Sequence, residues 1–381
     1  MIYLDNASTS FPKAPGVAVR VTKAIETGCF NINRGVYNGA FNMSEIVFDT
    51  RERLAALFGF PVSQSRNVIF TSGVTQSLNM ILKGLLKPGD RVVTTPMEHN
   101  SVLRPLYQLE QMGVQTEFVR CDIDGVLDID DFKLKLHKKT RAVVLNHASN
   151  VCGTVQAVDL IGKLCREHDI IFIVDAAQTA GIIPIDMTRG FIDVLAFTGH
   201  KGLLAVQGIG GFLIGEKVAR QVTPLLTGGT GSFSDSLEPP ELLPDRFEAG
   251  TLNLPGIVAL SAALDYIERN IEVIRAHKQS LRRSFVEQIA NLSDVRLIGA
   301  RNNCGIAALD FTGRDNSRIA GILDEQYQIM VRSGLHCAPL AHKTLGTYPQ
   351  GIVRFSFGYA NTQDDVNLCV EALKEILSDY S

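Results

Sequence analysis

The chain of 381 residues contains no tryptophan, no low-complexity tract and no long apolar run. Its longest apolar stretches, such as Ile170 to Val174, have the length of a strand and are far too short to cross a bilayer. The opening residues MIYLDNASTS place Asp5 where a signal peptide would need an apolar segment, and they include no basic leader. We therefore expect a cytoplasmic protein that has no membrane as a partner.

An excess of charge of one sign is also missing. The chain has 37 Lys and Arg against 40 Asp and Glu, for a net charge of -3. This balance gives no electrostatic reason to expect nucleic acid or an anionic membrane as a partner. Apolar residues make up 45% of the chain, which is enough for one large domain and a smaller companion.

Several motifs of metal and nucleotide enzymes are absent. The cysteines are odd in number and form no CxxC pair, which disfavours a disulfide scaffold and a structural zinc site. No HExxH occurs, and no GxGxxG follows a strand, so a metal hydrolase or an NAD enzyme has little support. The seven cysteines, for which reduced thiols are the default, are Cys29, Cys121, Cys152, Cys165, Cys304, Cys337 and Cys369.

Strand and helix patterns alternate between Asn67 and Gly215, which predicts an α/β layer with a mainly parallel sheet. Several strands are continuous β-branched runs, as is typical of strands buried on both faces. Apolar spacing predicts helices over 78–85 and over Val158–His168. The predicted strands are Asn67–Phe70, Arg91–Thr95, Gln115–Arg120, Arg141–His147, Ile170–Asp175, Val194–Thr198 and Gly211–Ile214.

The remainder of the chain predicts a second, smaller α+β domain. A Gly-, Pro- and Ser-rich segment, Leu225–Pro255, precedes a long helix that starts near Gly256 and runs past Arg282. We expect a large domain at 13–255 and a small domain made of 1–12 and 256–381. Beyond the helix, strands are predicted at Gly305–Phe311, Ile329–Arg332 and Ile352–Phe357, and helices at Asn316–Glu325 and Thr362–Leu377.

Polar side chains follow the predicted strands at the edge where ligands bind in open parallel sheets. Thr75 and the N–H groups of the turn before it open a helix, which suits one phosphate, although an ordinary helix cap is an equal alternative. Asp175 ends an apolar strand, where a carboxylate needs a cationic partner such as a protonated pyridine nitrogen. A helix-capping aspartate is the alternative for this residue taken alone.

Three further residues lie at neighbouring strand ends. Lys201 stands between glycines in Gly199-His200-Lys201-Gly202, which leaves room for a planar Schiff base; a surface turn lysine is the alternative. His99 could stack on a cofactor ring and move protons, or be a loop histidine. Asn150 could hydrogen-bond a ring oxygen, or be a turn residue.

This ordered set resembles the fold-type I pyridoxal-phosphate enzymes of the class V aminotransferase superfamily, and most closely the cysteine desulfurases and selenocysteine lyases. The resemblance runs nearly from end to end of the chain. It implies a large domain with a mainly parallel sheet flanked by helices, and a smaller α+β C-terminal domain. The motifs that carry it are YLDNAST, Asn31–Gly35, FTSGVTQSLN, MEHNSV, HASNVCGT, VDAAQ, FTGHKG, FEAGTLN, RSGLHCAP and VRFSFGYANT.

The resemblance implies a role for each matching residue. Lys201 would carry the cofactor, His99 would stack on its ring, and Asp175 would pair with the ring nitrogen. Thr251 would reach the phosphate of the neighbouring subunit, which implies a homodimer. Arg354 would clamp the substrate carboxylate. The ring oxygen would be bound by Asn150 and Gln178, the phosphate by Val74, Thr75, Thr198 and His200, and the substrate side by Asn6, Ala7, Asn150 and Arg332.

Cys337 decides which reaction is expected. Its motif resembles that of the nucleophilic cysteine in group II desulfurases, and the short distance to Arg354 implies a short ordered loop and sulfur delivery to a partner protein. We expect conversion of L-cysteine to L-alanine, with a persulfide on Cys337. Selenocysteine lyase, another class V reaction and a non-catalytic cofactor-binding protein remain alternatives. Departures from the family pattern, such as Ser8, Asn100 and Leu335, surround the substrate side.

Overall fold

The computed structural model of the protein describes residues 1–32, 35–233 and 235–379. Two residues of the predicted motif Asn31–Gly35, Asn33 and Arg34, lie outside the described residues. Within these ranges the chain builds one seven-stranded sheet, one four-stranded sheet and one two-stranded pair.

The large sheet carries the site. Its strand order is β2-β8-β7-β6-β5-β3-β4, and all neighbours are parallel except β8, which runs antiparallel to both β2 and β7. A mainly parallel sheet flanked by helices, as the sequence predicts, is therefore confirmed. The strands are β2 (Val68–Thr71), β3 (Arg91–Thr94), β4 (Gln115–Phe118), β5 (Thr140–Asn146), β6 (Ile171–Asp175), β7 (Val194–Thr198) and β8 (Gly210–Ile214).

Helices cover both faces of this sheet because its central strands are apolar on both sides. On β5, Val143 and Leu145 point into one core while Ala142 and Val144 point into the other. The first core is closed by α1 (Val17–Thr27), α2 (Asn38–Leu57), α6 (Val158–Glu167) and the first part of the long helix α8 (Leu254–Ile289). The second core is closed by α3 (Val74–Leu85) and α4 (Asn100–Glu110). Two short helices, α5 (Ile129–Lys135) and α7 (Glu216–Ala219), and a 3-10 turn at Val62–Asn67 complete this layer.

The long helix α8 (Leu254–Ile289) joins the two parts of the chain. Its residues up to Ile274 belong to the core beneath the large sheet, whereas Leu281 and Phe285 pack into the core of the C-terminal sheet. In the described part of 220–253 there is no helix or strand, in keeping with the predicted irregular segment. The proposed domain limits at residues 12 and 255 stay a prediction.

The C-terminal sheet is antiparallel, with the order β12-β13-β10-β9. The predicted strand Ile329–Arg332 is instead two strands, because its first half pairs with β1 (Ile2–Tyr3) and its second half with β13 (Ile352–Ser356). None of the helices in the described part of the chain combines the length and the apolar character of a membrane span. The elements are β1 (Ile2–Tyr3), β9 (Val295–Ile298), β10 (Ile306–Phe311), α9 (Asn316–Tyr327), β11 (Ile329–Met330), β12 (Arg332–Gly334), α10 (Pro339–Thr344), β13 (Ile352–Ser356) and α11 (Gln363–Asp379).

Candidate active site

A cavity of about 350 Å³ lies at the carboxyl ends of the parallel strands. This is the position where open α/β sheets bind ligands, because the loops that leave adjacent strands diverge there. The cavity brings together most of the residues that the sequence singles out. They are Ala7, Val74, Thr75, His99, Asn150, Asp175, Gln178, Thr198, His200, Lys201, Arg332, Cys337 and Arg354.

One end of the cavity is suited to an anion. Helix α3 begins at Val74, directly after β2, so the N–H groups of Val74 and Thr75 have no partner within the helix. Gly73 caps the helix, and a Cβ built on it would lie 3.5 Å from the Thr198 hydroxyl, so this turn is close to the end of β7. The His200 Nδ1 is buried and has no partner among the described residues. Free N–H groups at a helix start favour negative charge.

The backbone before Lys201 is held by an unusual set of donors. The carbonyl oxygen of His200 accepts from the Ser10 N–H at 2.9 Å and the Thr9 hydroxyl at 3.2 Å. It also accepts from the Ser10 hydroxyl at 3.1 Å and the Lys13 ammonium at 3.3 Å. These bonds join the N-terminal segment to the loop after β7. They fix the peptide bond from which the Lys201 side chain departs.

Lys201 is the amine of the cavity. Burial lowers its pKa to about 8, and Arg354 and Arg332 contribute in the same direction while Asp175 opposes them. A lysine with a lowered pKa has a larger neutral fraction near pH 7 and is a better nucleophile. The side chain can therefore form a covalent bond to a carbonyl group.

Asp175 lies at the end of β6, where strand geometry carries the carboxylate to the floor of the cavity. It is 4% exposed, its Oδ1 accepts from the Ala177 N–H at 2.9 Å, and no salt bridge reaches it within the described residues. Burial raises its pKa. A cation placed in the cavity would offset this cost, as a protonated ring nitrogen would.

His99 is fixed as the N-cap of α4, and its ring nitrogen Nδ1 accepts from the Ser101 N–H at 3.0 Å. Burial first, and then the nearby Lys201, lower its pKa to about 4. The imidazole is therefore neutral at pH 7, and its proton is assigned to Nε2 because Nδ1 is an acceptor. Its ring borders the cavity as a neutral donor.

Asn150 and Gln178 carry side-chain amides, and both residues line the cavity. The Asn150 Nδ2 donates to the His336 carbonyl at 2.7 Å, whereas its Oδ1 is buried without a partner in the described chain. The Gln178 Nε2 donates to the Ala7 carbonyl at 3.1 Å. In each residue a backbone carbonyl fixes the orientation of the side-chain amide, so the amide oxygen can hydrogen-bond a bound group.

The substrate side of the cavity has a buried guanidinium. Arg354, on β13, is 2% exposed and donates to the Asn150 carbonyl at 2.8 Å. It also donates to the Asp5 carboxylate at 2.8 Å and the Ser8 hydroxyl at 2.6 Å, while its Nε is buried without a partner among the described atoms. The comparison with the family pattern places Ser8 on the substrate side, whereas Asp5 has no role in the sequence-based prediction. The charge of Asp5 within an otherwise neutral opening motif is the signal that could have found it.

Cys337 is the exposed member of the seven cysteines, all of which the structure describes, and it lines the cavity. Its loop is held at two points, since the Cys337 carbonyl accepts at 2.8 Å from the N–H of Asn100 at the start of α4 and the His336 carbonyl accepts from Asn150 in the loop after β5. His336 and Cys337 have φ values of 47° and 57°, a left-handed conformation that costs energy in residues other than glycine. The strained loop holds the thiol at the cavity mouth.

Two predicted residues do not line this cavity. The Asn6 side chain instead joins the N-terminal segment to β13, donating to the Ser356 carbonyl at 3.0 Å and to Asn361 at 3.3 Å. Thr251 is exposed and lies in the segment before α8. Asn6 instead lines a second, smaller cavity, together with Lys201.

The family model for class V aminotransferases matches residues 2–369. The chain belongs to the class V aminotransferase family. A protein of Methanothermobacter thermautotrophicus named probable cysteine desulfurase is 34% identical, over 98% of this chain and 94% of its own. Another of that name, from Pyrococcus abyssi, is 33% identical, over 99% of this chain and 94% of its own.

Solved structures named cysteine desulfurase share the fold. A cysteine desulfurase from Thermococcus onnurineus superposes with a TM-score of 0.92 at 33% identity, over 99% of this chain and 95% of that one. A cysteine desulfurase from Escherichia coli gives a TM-score of 0.89 at 27% identity, over 99% of this chain and 94% of that one. The predicted family and fold are thus confirmed, and the chain is an enzyme of the class V group.

Class V aminotransferases use pyridoxal phosphate, and the residues present fit this group. The phosphate would meet the free N–H groups at the start of α3 and the unpartnered His200 Nδ1. The ring nitrogen would meet the buried Asp175, which lacks a salt bridge within the described chain. The aldehyde carbon would meet Lys201. The phosphate would therefore find unpaired hydrogen-bond donors, the ring nitrogen a carboxylate without a salt bridge in the described chain, and the aldehyde a reactive amine.

Proposed function

We propose that the chain is a pyridoxal-phosphate-dependent cysteine desulfurase, which converts L-cysteine to L-alanine and keeps the sulfur on Cys337. The observation that carries the proposal is the position of this exposed thiol, which lines the same cavity as Lys201, Asp175 and Arg354. An aminotransferase needs no thiol at that place. The names of the similar proteins support the same activity.

The proposed cofactor contacts follow the cavity walls. Val74, Thr75, Thr198 and His200 would hold the phosphate, and Asp175 the ring nitrogen. His99 would lie against the ring, and Asn150 and Gln178 near its oxygen. When bound, the cofactor supplies an electron sink that makes the α-proton of an amino acid acidic and activates its side-chain sulfur as a leaving group.

Three residues of the chain act on the substrate or on the cofactor ring in this scheme. The Lys201 amine, whose pKa burial lowers to about 8, accepts the α-proton of the substrate. Arg354 binds the substrate carboxylate, for which its buried Nε is an unused donor in the described structure. The neutral His99 donates through Nε2 and orients the ring without adding charge to the cavity.

The sulfur step balances without an added oxidant. The Cys337 thiolate attacks the substrate sulfur, so that a sulfur–sulfur bond forms while the carbon–sulfur bond of the substrate breaks. The electron pair of the broken bond passes to carbon, which takes up a proton and leaves as part of alanine. Cys337 retains the sulfur as a persulfide. Its exposure allows a partner protein to remove that sulfur, so we propose a protein acceptor.

We also propose a homodimer in which Thr251 reaches the cofactor phosphate of the other subunit. The exposed position of Thr251, away from the cavity of its own chain, supports this arrangement. Sedimentation of the purified holoenzyme should give twice the chain mass. In a Thr251→Ala variant the cofactor should dissociate faster, and unchanged retention would contradict the shared site.

The test of the activity is an alanine assay with L-cysteine and a reductant. Cys337→Ser should keep the cofactor absorbance of the wild type but lose at least about a hundredfold in alanine formation, because serine is a much weaker nucleophile. Cys29→Ser, a half-buried thiol away from the cavity, is the matched control and should retain activity. Full activity of Cys337→Ser, or preference for selenocysteine with no turnover of cysteine, would refute the proposal.

A further inference from the structure

The Ser8 hydroxyl occupies a position between three charged side chains. Its Oγ lies 2.7 Å from Asp5 Oδ1, 2.6 Å from a terminal nitrogen of Arg354 and 2.8 Å from one of Arg332. Ser8, Arg332 and Arg354 all line the cavity. These bonds span the chain from its N-terminal segment to β12 and β13.

Hydrogen-bond accounting fixes the orientation of this hydroxyl. A serine hydroxyl has one proton to donate and two lone pairs to accept with, and a guanidinium can only donate. Ser8 must therefore donate to Asp5 and accept from Arg332 and Arg354. All three of its positions are used, so the hydroxyl joins one anion and two cations.

The two arginines differ in how much they depend on Ser8. Arg354 is buried and is also held by Asp5 and the Asn150 carbonyl. Arg332 is exposed, and Ser8 is the hydrogen-bond partner of its guanidinium in the described part of the chain. A long exposed side chain without such a bond would sample several rotamers. The position of Arg332 at the cavity wall thus depends on Ser8.

We propose that Ser8 is a positioning residue that holds Arg332 beside Arg354, so that the cavity presents two guanidinium groups to the substrate carboxylate. Asp5 offsets one of the two positive charges, and the remaining one is available to an anion. This inference deepens the proposed function and rests on it for one point only, the carboxylate of the substrate.

Removal of the hydroxyl should leave the local backbone in place. The Ser8 N–H donates to the Asp5 carbonyl at 3.1 Å, and the Ala7 N–H donates to the Ser356 hydroxyl at 2.9 Å. Neither bond uses the Ser8 side chain. In Ser8→Ala we therefore expect Arg332 to be released while Arg354 stays bound to Asp5.

The experiment measures binding of L-alanine and of L-alaninamide to the holoenzyme by calorimetry. L-Alanine has a carboxylate where L-alaninamide has a neutral amide. The ratio of their affinities therefore measures how strongly the two guanidinium groups bind the carboxylate. Ser8→Ala should lower that ratio about tenfold, the scale of one charge-assisted contact. Ser8→Thr, which keeps a hydroxyl, should restore most of it. Ser333→Ala removes a hydroxyl next to Arg332 whose hydrogen-bond partner in the described residues is Ser317 Oγ, and should leave the ratio unchanged.

Repeating the Ser8→Ala measurement in an Arg332→Gln variant shows whether Ser8 acts through Arg332 or affects the cavity as a whole. There Ser8→Ala should have less than a twofold further effect, since the residue it positions is gone. An unchanged ratio in Ser8→Ala, or a full tenfold effect in both backgrounds, would overturn the proposal. The binding assay needs no sulfur chemistry. If the wild type forms no alanine from cysteine but Ser8→Ala still lowers the ratio, the proposed function fails and the role of Ser8 stands.

Discussion

Glu98, which directly precedes His99 in the chain, provides a quantitative test of the buried electrostatics. Its side chain has no exposed surface. Oε1 accepts from the Thr95 hydroxyl at 2.7 Å, and Oε2 has no partner among the described residues. Burial raises the pKa of this carboxyl from 4.5 to about 8, with the nearby Asp175 adding to the effect. The substitution Glu98→Gln keeps the shape and removes the ionisable group.

The sign and the size of the effect follow from proton linkage. Because the folded pKa is raised, the stability that the neutral carboxyl contributes is complete below pH 4.5 and is lost as the pH rises towards 8. One pKa unit corresponds to about 1.36 kcal/mol, so the loss between 4.5 and 7 amounts to roughly 3 kcal/mol. Glutamine does not ionise and avoids this loss.

The assay is urea unfolding of the holoenzyme at several pH values between 5 and 8. Relative to the wild type, Glu98→Gln should gain about 1.4 kcal/mol in the free energy of unfolding for each pH unit up to about 7.5. Glu371→Gln, an exposed carboxyl on α11, is the matched control and should show no such trend. A stability difference between Glu98→Gln and the wild type that does not grow with pH would show that the pKa of Glu98 is not raised by burial.

Three further substitutions test other parts of the structure. Glu248→Gln should destabilise the fold by roughly 3–5 kcal/mol in urea unfolding, because Arg51, 4% exposed, would be left without its carboxylate. Asp175→Asn should raise the rate of cofactor loss at least about tenfold, measured by absorbance during dialysis, since a neutral amide cannot pair with a charged ring nitrogen. Lys278→Met should gain stability relative to the wild type as the pH falls from 10 to 7, because burial lowers the pKa of this amine to about 8. An unfolding midpoint equal to that of the wild type would contradict the prediction for Glu248→Gln, and equal cofactor retention that for Asp175→Asn. A stability gain that does not depend on pH would contradict the prediction for Lys278→Met.

The central strands could be predicted from the sequence because they are buried on both faces and so are apolar without interruption. Helix α2 gives a weaker signal. Its buried positions include Thr50 and Arg51, so the apolar period is broken where Arg51 pairs with Glu248. The division of 329–332 into two strands depends on β1, which is more than 300 residues away along the chain. Local patterns carry no information about such a partner.

The same distinction applies to the site. Lys201, Asp175 and His99 could be predicted because each ends or follows a strand, and parallel strands place their ends together. The contact of Ser8 with Arg354 could not, since it joins residues 346 positions apart through a single hydroxyl. Nor does the sequence indicate that Arg354 is fixed by Asp5. Strand order predicts the cofactor side of the cavity, whereas tertiary packing determines the substrate side.

In the proposed reaction the Cys337 thiol takes sulfur from an amino acid held in the cavity. The most direct measurement is peptide mass spectrometry of the holoenzyme after brief exposure to L-cysteine and alkylation. We expect one additional sulfur atom on the peptide that contains Cys337 for each alanine released, and none in Lys201→Ala. Alanine release with the added sulfur on another cysteine, or on none, would contradict it.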